Sequence, residues 1–419
     1  MRYKIEGGEK LSGEVRISGN KNSVFPCVAA ALLTLEQTRL ENVSEIRDVD
    51  SLVEILAEMG VSVQRDGHTL LIDASGLQKS DFPEDLMTKL RGSMVLVGAI
   101  LARNNRVRFH HPGGDVIGKR SIQTHLEAFK LLGARVKEED LEYQINYRPQ
   151  DFKGDISIFM PEASVTATEN LILASVIGSR TIRVKNAAAE PHVADLCKML
   201  VKMGAKIEGI GSNELTISGV AKLAGTSFSL GTDYVEVGTY IAAAAITGGD
   251  ITLTNIDKTN LDPVLVPLSK FGIEIRREEG EIRVKVDKLK PVTKITTNIW
   301  PGFPTDLMSI AVVLATQSRG ITLCHDWMYE ARMFFVDKLI AMGANITLAD
   351  PHRVVVYGPS KLKGRELETP DIRAGMALVL AALIARGESI INRAELIERG
   401  YEDAVGKLRS LGAKIERLD

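Results

Sequence analysis

Apolar and polar positions follow the same order six times along the chain. A stretch with amphipathic helical spacing ends in a glycine, and alternating apolar and polar residues follow at once, as in LVKMGAKI and LIAMGANI. The six glycines, roughly 70 residues apart, are Gly60, Gly133, Gly204, Gly272, Gly343 and Gly412. The pattern predicts a helix that ends at a left-handed glycine and leads directly into a strand.

A second element precedes each of these phrases within the same repeat. It is a run of small apolar residues followed by a β-rich stretch, as in YIAAAAITGGDITLTNI and LVLAALIARGESII. Because a helix that is apolar on nearly every side is typical of a protein interior, each repeat should contain one buried and one amphipathic helix. A single core rarely grows past about 300 residues, so two compact domains of three repeats each are predicted.

Polar or charged residues stand at the start of every predicted buried helix. They are Lys21 with Asn22, Arg91, Ser164 with Thr168 and Glu169, Asp233 with Glu236, Thr305 with Asp306, and Arg373. If the helices run parallel, these ends converge, and helix N-termini favour anions such as phosphate and carboxylate. Asp233, Thr305 and Asp306 are also typical N-caps, so capping alone would explain them. Lys21, Arg91 and Arg373 oppose the helix dipole, which indicates a bound anion.

Two loops carry further candidate chemistry. The segment His110–His125 is rich in Gly and Pro and contains Asp115, Lys119 and Arg120, which is typical of a lid, although a solvated turn has the same composition. The segment WPGFPTD presents Asp306 behind two prolines. For Arg332 and Arg399, ligand binding and plain surface charge are equal alternatives.

Composition narrows the class of protein. The 419 residues are 45% hydrophobic and 25% charged with a net charge of −2, which argues against a nucleic-acid coat or a polybasic membrane surface. Three scattered cysteines favour a reducing compartment and no disulfide framework. The N-terminus does not resemble a signal peptide, and no apolar stretch is long enough for a membrane span. No phosphate-binding P-loop, dinucleotide fingerprint, zinc motif or nucleophile elbow is present.

Eight motifs resemble those of the enolpyruvyl transferase family, from about residue 3 to the end of the chain. They are SGNKNS, LRGSM, PGGDVIGKR, SVTATEN, AAEPHVAD, PGFPTD, YEAR and IERGYE. The resemblance is to the branch that acts on UDP-N-acetylglucosamine. The sister branch, enolpyruvylshikimate phosphate synthase, would show a Ser-rich motif ending in Arg where KNS stands and would lack PGFPTD.

The resemblance implies an α/β fold of two inverted, inside-out α/β barrel domains. Each domain would have threefold pseudo-symmetry, so that the chain contains six βαβαββ repeats. The first domain would be 21–231 with a lid loop at 110–122, and the second would be 1–20 plus 232–419.

The implied reaction transfers the enolpyruvyl group of phosphoenolpyruvate to the 3′-hydroxyl of UDP-N-acetylglucosamine and releases phosphate. This is the first committed step of peptidoglycan precursor synthesis. By resemblance, Asp306 is the base at the sugar hydroxyl, Asp115 is the general acid, and Lys21 and Arg399 are also catalytic. Positions that hold phosphoenolpyruvate or its product match Lys21, Asn22, Arg120, Arg332, Arg373 and Arg399. Nucleotide-sugar contacts match Arg91, Arg120, Ser121, Ile122, Gln123, Thr124, Ser164, Val165, Asp306 and Met328.

The same resemblance implies which partners the chain has. The two small-molecule substrates are expected, without a cofactor, a metal, nucleic acid, a membrane or an obligate protein partner. A cytoplasmic location is expected as well.

Some positions depart from the family pattern. Asp115 replaces the commoner Cys, which fosfomycin alkylates, so insensitivity to fosfomycin is expected. Gln123 stands where Asp is frequent, Glu162 where a basic residue is frequent, Tyr234 for Arg and Ala331 for Asn. Two alternatives therefore stay open: an enolpyruvyl transferase with a different acceptor, or a paralogue that binds a nucleotide sugar without catalysis. The presence of both Asp115 and Asp306 counts against the second.

Overall fold

The computed structural model describes residues 1–88, 90–113 and 121–419, which fall into two compact units. Met1–Ser18 and Thr232–Asp419 form one unit, called the C-unit here. The described residues of 19–231 form the other, called the N-unit.

Helices and strands alternate through both units. The helices are α1 (Lys21–Ala31), α2 (Arg47–Glu58), α3 (Glu84–Met87), α4 (Leu96–Asn104), α5 (Gln123–Leu132), α6 (Val165–Ser175), α7 (Pro191–Lys202), α8 (Tyr234–Thr247), α9 (Asp262–Ser269), α10 (Met308–Gln317), α11 (Val336–Ala341), α12 (Ile372–Ile384) and α13 (Ala404–Ser410). Short 3-10 helices span Arg91–Val95, Pro149–Asp151, Thr305–Leu307 and Ala394–Arg399. The strands are β1 (Arg2–Glu6), β2 (Ser12–Arg16), β3 (Thr38–Glu41), β4 (Ser62–Asp66), β5 (Thr69–Asp73), β6 (Arg106–His110), β7 (Arg135–Glu139), β8 (Glu142–Asn146), β9 (Ile156–Phe159), β10 (Thr181–Lys185), β11 (Lys206–Glu208), β12 (Glu214–Ser218), β13 (Ser227–Ser229), β14 (Asp250–Thr254), β15 (Glu274–Glu278), β16 (Glu281–Lys285), β17 (Lys294–Thr296), β18 (Gly320–His325), β19 (Ile346–Asp350), β20 (Arg353–Gly358), β21 (Glu366–Glu368), β22 (Glu388–Asn392) and β23 (Lys414–Leu418).

Each repeat builds one small sheet. In the repeat β9-α6-β10-α7-β11-β12, β9 runs parallel to β10, and the hairpin β11–β12 adds antiparallel strands, giving the order β11-β12-β10-β9. The other sheets have the orders β13-β3-β5-β4, β6-β8-β7, β15-β16-β14-β2, β17-β18-β20-β19 and β21-β22-β1-β23. In the three-stranded sheet, an isolated parallel bridge from Asp81 to Arg108 stands in the place of the first strand. The predicted βαβαββ repeats are confirmed.

Two of these sheets are closed by strands from distant parts of the sequence. In the N-unit, β13 pairs in parallel with β3, so the last strand of the unit completes the sheet of its first repeat. In the C-unit, β1 lies between β22 and β23, and β2 pairs in parallel with β14. The first 18 residues therefore supply one strand to each of two C-unit sheets.

The repeated glycines end their helices as predicted. Gly60, Gly133, Gly204, Gly272, Gly343 and Gly412 have φ between 81° and 109°, the left-handed region in which a side chain is strained. The strands β4, β7, β11, β15, β19 and β23 begin two or three positions after these glycines.

The predicted buried helices form the two cores. In the N-unit, α1, α4 and α6 pack against one another, and α8, α10 and α12 do the same in the C-unit. Small residues permit this close packing: a Cβ at Gly98 on α4 would lie 2.3 Å from the carbonyl oxygen of Asn170 on α6. Among the described residues, no helix has the length and apolar character to cross a membrane.

Candidate active site

Three predicted site residues meet at the N-terminal ends of α10 and α12 in the C-unit. Asp306 lies in the 3-10 turn Thr305–Leu307 that leads into α10. Arg332 donates from Nη2 to Oδ1 of Asp306 at 3.2 Å, and Arg373 donates from Nε to Oδ2 at 3.1 Å, with its Nη2 2.9 Å from the same oxygen. Each oxygen of Asp306 is thus bound by a different guanidinium.

Both arginines are buried, whereas the carboxylate between them is partly open. Side-chain exposure is 3% for Arg332, 7% for Arg373 and 28% for Asp306. Arg332 lies over the ring of Tyr329 and Arg373 over the ring of Tyr401, each at 5.3 Å. The trio therefore consists of two buried cations and one carboxylate, and the carboxylate is its most exposed member.

The surrounding charges keep both guanidiniums ionised. Burial alone would lower the pKa of Arg373, but the charge of Asp306 and the contributions of Tyr401 and Asp233 more than offset it and raise the pKa. Burial acts on Arg332 in the same way, and Asp306, Asp371 and Asp326 again raise its pKa above the ordinary value. Arg332 is not surface charge, the alternative left open by the sequence.

Capping explains some of the polar residues at helix starts but not Asp306. Asp233 caps α8 by accepting from the N–H groups of Val235 and Glu236, as its residue type predicts. Asp371, which the sequence analysis did not single out, caps α12 in the same way. Asp306 lies inside its 3-10 turn, and Pro304 is the residue at the N-cap position. The carboxylate of Asp306 is directed to the two arginines instead.

Met328 and Arg399 lie on other loops of the same unit. The backbone N–H of Met328 donates to Oδ1 of Asp326 at 3.0 Å. Arg399 ends the 3-10 helix Ala394–Arg399 and is partly buried. Tyr401, two residues later, is the residue whose ring lies under Arg373.

Lys21 begins α1 in the N-unit, where a cation opposes the helix dipole. It is 8% exposed, and its Nζ lies 2.8 Å from Oδ2 of Asp48. Asn20 caps the helix by accepting from the N–H of Asn22. The position of Lys21 predicts a bound anion. In the structure, an anionic side chain of the protein itself, Asp48, lies against Lys21.

Arg91 approaches the segment that was matched to nucleotide-sugar contacts. Its Nη2 donates to the carbonyl oxygen of Ser121 at 3.2 Å, and Ile122 beside it is buried. The hydroxyl of Ser121 accepts from the N–H of Gln123. Thr124 donates to Oε1 of Glu162 at 2.7 Å. Arg91, residues 121–124 and Glu162 therefore form one connected group.

A buried histidine, His125, follows Thr124 of this group in α5. Nδ1 of His125 accepts from the side-chain amide of Asn170 at 3.0 Å, so its Nε2 carries the proton and donates to Thr166 Oγ1 at 3.1 Å. Burial, and then the charge of Arg91, lowers the pKa of His125 to about 3. His125 is therefore a neutral structural residue at physiological pH.

Ser164 and Val165 open α6 next to Glu162. Ser164 is the N-cap residue, but its side chain makes no capping bond, and its carbonyl oxygen accepts from the N–H and the hydroxyl of Thr168. Further along, burial and then the charge of Glu190 raise the pKa of Glu169 well above its ordinary value. Burial raises the pKa of Glu190 to about 7.

Asp115, Lys119 and Arg120 lie outside the described residues, as does the centre of the predicted lid loop. Of the substituted family positions, Tyr234 is buried and packs its ring at 5.2 Å from that of Trp300. Within the described part of the chain, no group of three or more His, Cys, Asp or Glu residues is placed to hold a metal ion.

Besides Asp371, two acidic residues of these clusters were missed by the sequence analysis. Asp48 occupies a core-facing position of α2, together with Leu52 and Ile55 at helical spacing. That signal, an acid on the apolar face of an amphipathic helix, is readable from the sequence. Asp326 follows β18 and is completely buried, but no pattern in the sequence marks it.

The chain is similar to proteins of known family over its whole length. A family model described as EPSP synthase (3-phosphoshikimate 1-carboxyvinyltransferase) matches residues 5–408. The UDP-N-acetylglucosamine 1-carboxyvinyltransferase of Treponema denticola is 46% identical over 99% of this chain and 98% of that protein. The proteins of the same name from Borreliella burgdorferi and Bradyrhizobium diazoefficiens are 46% and 44% identical, over 99% and 100% of this chain and 99% and 98% of theirs.

Solved structures share the fold. The enolpyruvyl transferase NikO from Streptomyces tendae superposes with a TM-score of 0.89 at 26% identity, over 99% of this chain and 98% of that chain. EPSP synthase from Acinetobacter baumannii has a TM-score of 0.75 at 20% identity, over 100% of both chains. The second likeness concerns the fold alone.

Proposed function

The chain belongs to the EPSP synthase family of enolpyruvyl transferases, and on this premise we propose the reaction that it catalyses. It transfers the enolpyruvyl group of phosphoenolpyruvate to the 3′-hydroxyl of UDP-N-acetylglucosamine and releases phosphate. The names of relatives that are 40–46% identical over nearly the whole chain support this acceptor. The resemblance of PGFPTD and SGNKNS to the branch that acts on UDP-N-acetylglucosamine points the same way.

The observation that carries the proposal is the trio of Asp306, Arg332 and Arg373. Phosphoenolpyruvate has a carboxylate and a phosphate, and buried guanidiniums bind both groups with charge-assisted hydrogen bonds. The contacts of Asp306 with both cations support the proposal that its carboxylate meets the attacking hydroxyl beside the anion. We assign Arg332 and Arg373, with Arg399, Arg120, Lys21 and Asn22, to phosphoenolpyruvate or its product.

The reaction proceeds by addition and then elimination. Asp306 takes the proton of the 3′-hydroxyl while the oxygen of that hydroxyl bonds to C2 of phosphoenolpyruvate. An acid protonates the methylene carbon C3. The adduct then loses a proton from C3 and the C2–O bond to phosphate, which restores the double bond. Fixed cations at the phosphate stabilise the charge that it carries away.

For the nucleotide sugar we propose contacts at the positions that match the family motifs. They are Arg91, Arg120, Ser121, Ile122, Gln123, Thr124, Ser164, Val165, Asp306 and Met328. Support comes from the hydrogen bonds that join Arg91 to Ser121 and Thr124 to Glu162. Glu162 is an anion where relatives often have a cation, so it restricts how a diphosphate approaches Thr124.

Asp115 is proposed as the general acid from its family position alone. A carboxylate is a weaker nucleophile than a thiolate, so fosfomycin should not alkylate it. We also propose a cytoplasmic location and, through peptidoglycan synthesis, roles in cell-wall biogenesis, cell shape and cell division. The domains are proposed as 21–231 and 1–20 plus 232–419, which is supported by the two compact units.

The proposal is tested by phosphate release from phosphoenolpyruvate with a panel of UDP-sugars and with shikimate 3-phosphate. Release that depends on UDP-N-acetylglucosamine is expected. Release with another UDP-sugar alone would indicate a different acceptor, and tight nucleotide-sugar binding without release would indicate a non-catalytic paralogue.

A further inference from the structure

We propose that Asp326 is a positioning residue that holds the Asp306 turn in its reactive geometry. This inference rests on the proposed function, because it concerns the placement of the proposed base. Asp326 follows β18, at the edge of the loop that carries Met328 and Arg332.

The carboxylate of Asp326 is completely buried and binds three donors. Its Oδ1 accepts from the hydroxyl of Thr297 at 3.2 Å and from the N–H of Met328 at 3.0 Å. Its Oδ2 accepts a short hydrogen bond from the hydroxyl of Thr305. The residue has 0% exposure, so its charge is stabilised by these partners and not by water.

The three donors belong to three different segments of the C-unit. Thr297 follows β17, Thr305 precedes Asp306 in the same 3-10 turn, and Met328 opens the loop to Arg332. One carboxylate therefore fixes the segments that carry Asp306, Met328 and Arg332 relative to one another. The N-cap residue of the turn Thr305–Leu307, Pro304, makes no side-chain capping bond, so the bond from Thr305 to Asp326 is a specific restraint on this turn.

The anchor itself is held on both sides of its backbone. The N–H of Asp326 donates to the carbonyl oxygen of His352 at 2.8 Å, and Nδ1 of His352 donates to the carbonyl oxygen of Asp326 at 2.7 Å. Because the backbone is fixed, the carboxylate cannot follow if Thr305 moves. A loss of the bond between Thr305 and Asp326 is therefore expressed as a displacement of Asp306.

Asp326 acts through its neighbours and not on the substrates. A side chain without solvent exposure in this unit touches no ligand directly, and every oxygen is already bound to Thr297, Thr305 or Met328. Its negative charge also acts on Arg332: burial lowers the pKa of Arg332, and the charges of Asp306, Asp371 and Asp326 raise it. The hydrogen bonds and the charge of Asp326 therefore both act on the trio of Asp306, Arg332 and Arg373.

The test compares two substitutions at Thr305, where the hydroxyl is the variable. Thr305→Val removes the bond to Asp326 and keeps the shape, whereas Thr305→Ser keeps the bond. Thr322→Val is the matched control, since buried Thr322 on β18 donates to the carbonyl oxygen of Val292 at 2.6 Å, and that bond does not involve Asp326. Each variant is assayed for kcat, both KM values and thermal unfolding.

We expect kcat to fall by about 10- to 100-fold in Thr305→Val, since small misplacements of a reacting group cost this much. Thr305→Ser should keep the wild-type kcat, and Thr322→Val should lose stability without losing kcat. In an Asp326→Asn background, Thr305→Val should add little further loss, because the two residues act through one bond.

Other outcomes overturn the inference in distinguishable ways. An active wild type in which Thr305→Val and Thr322→Val lose only stability would show that Asp326 has a merely structural role. An additive loss in the double variant would show that Thr305 acts independently of Asp326. A folded wild type that turns over no acceptor would overturn the proposed function, and this inference with it.

Discussion

Arg373 contacts Asp306 through two nitrogens of one guanidinium, with Nε 3.1 Å and Nη2 2.9 Å from the same oxygen. Arg332 takes the other oxygen at 3.2 Å. The two guanidiniums place a net positive charge around this one carboxylate. The phosphate and carboxylate of phosphoenolpyruvate would offset this positive charge. On this account, bound phosphoenolpyruvate prepares Asp306 to accept the proton of the sugar hydroxyl.

Arg373→Lys and Arg332→Lys should therefore weaken the use of phosphoenolpyruvate. Lysine keeps the charge but loses the fork that binds a planar anion at two points. A lost charge-assisted bond is worth about 1.5–3 kcal/mol, so kcat/KM for phosphoenolpyruvate should fall by roughly 10- to 150-fold. Calorimetry should find unchanged affinity for UDP-N-acetylglucosamine. Arg353→Lys, at an exposed pair with Asp350, is the control, and equal losses in all three variants would refute a specific role.

The pair of Lys21 and Asp48 separates stability from catalysis. Lys21→Met removes the cation that lies 2.8 Å from the buried carboxylate of Asp48, which should lower the free energy of unfolding by about 3 kcal/mol. Adding Asp48→Asn removes the carboxylate charge and should restore most of the stability, as measured by urea unfolding. Phosphoenolpyruvate handling should stay impaired in the double variant. If turnover returns together with stability, Lys21 is only structural.

Two buried groups of the N-unit should give stability opposite slopes with pH. His125 has a pKa lowered from 6.5 to about 3, so its contribution is present above pH 6.5 and is lost as the pH falls towards 3. Glu190 has a pKa raised from 4.5 to about 7, so its contribution is greatest below pH 4.5 and is lost as the pH rises through 7.

Urea unfolding at a series of pH values checks this pair. Glu190→Gln should reduce the decline of the unfolding free energy between about pH 4.5 and 7, and His125→Gln should flatten the acid limb below 6.5. Unaltered slopes in both variants would mean that neither group titrates as its burial implies.

Asp115 can be tested by restoring the thiol that is common in the family. Asp115→Cys should stay active and become sensitive to fosfomycin, because a thiolate opens the epoxide readily and a carboxylate does not. The measurement is time-dependent inactivation, with protection by excess phosphoenolpyruvate. Inactivation of the unaltered chain at the same rate, or an active Cys variant that resists fosfomycin, would remove Asp115 from its proposed position.

Local rules account for most of the fold. Gly133 and Gly343 end helices because left-handed backbone requires glycine there, and the strand after each follows from alternation. The split of the first 18 residues between two sheets is different. β1 pairs with β22 and β23, more than 380 residues away, and β2 pairs with β14. Such distant pairings have no local signal, and only the family resemblance assigned this segment to the second domain.

The sequence predicts which charged residues belong to the candidate site, but it does not predict which of them contact one another. The cations stood out because Lys21 and Arg373 oppose a helix dipole. The acidic residue that pairs with each cation is set by the tertiary structure, and local sequence does not predict it. Asp48 belongs to a different helix from Lys21, and Asp306 lies 67 positions before Arg373. Asp326 was not predicted because an acidic residue after a strand is common in sequences. Its role becomes apparent only when the three segments that carry its hydrogen-bond donors have folded around it.

The most direct measurement is the identity of the product. Purified protein is incubated with phosphoenolpyruvate and UDP-N-acetylglucosamine, and the products are examined by mass spectrometry and NMR, with Asp306→Asn in parallel. The account predicts a nucleotide sugar that carries the enolpyruvyl group on its 3′-oxygen, with an equal amount of phosphate. Asp306→Asn should bind the nucleotide sugar but form this product about 10²- to 10⁴-fold more slowly, the range for a lost general base. No such product from the unaltered chain, or its undiminished formation by Asp306→Asn, would contradict the account.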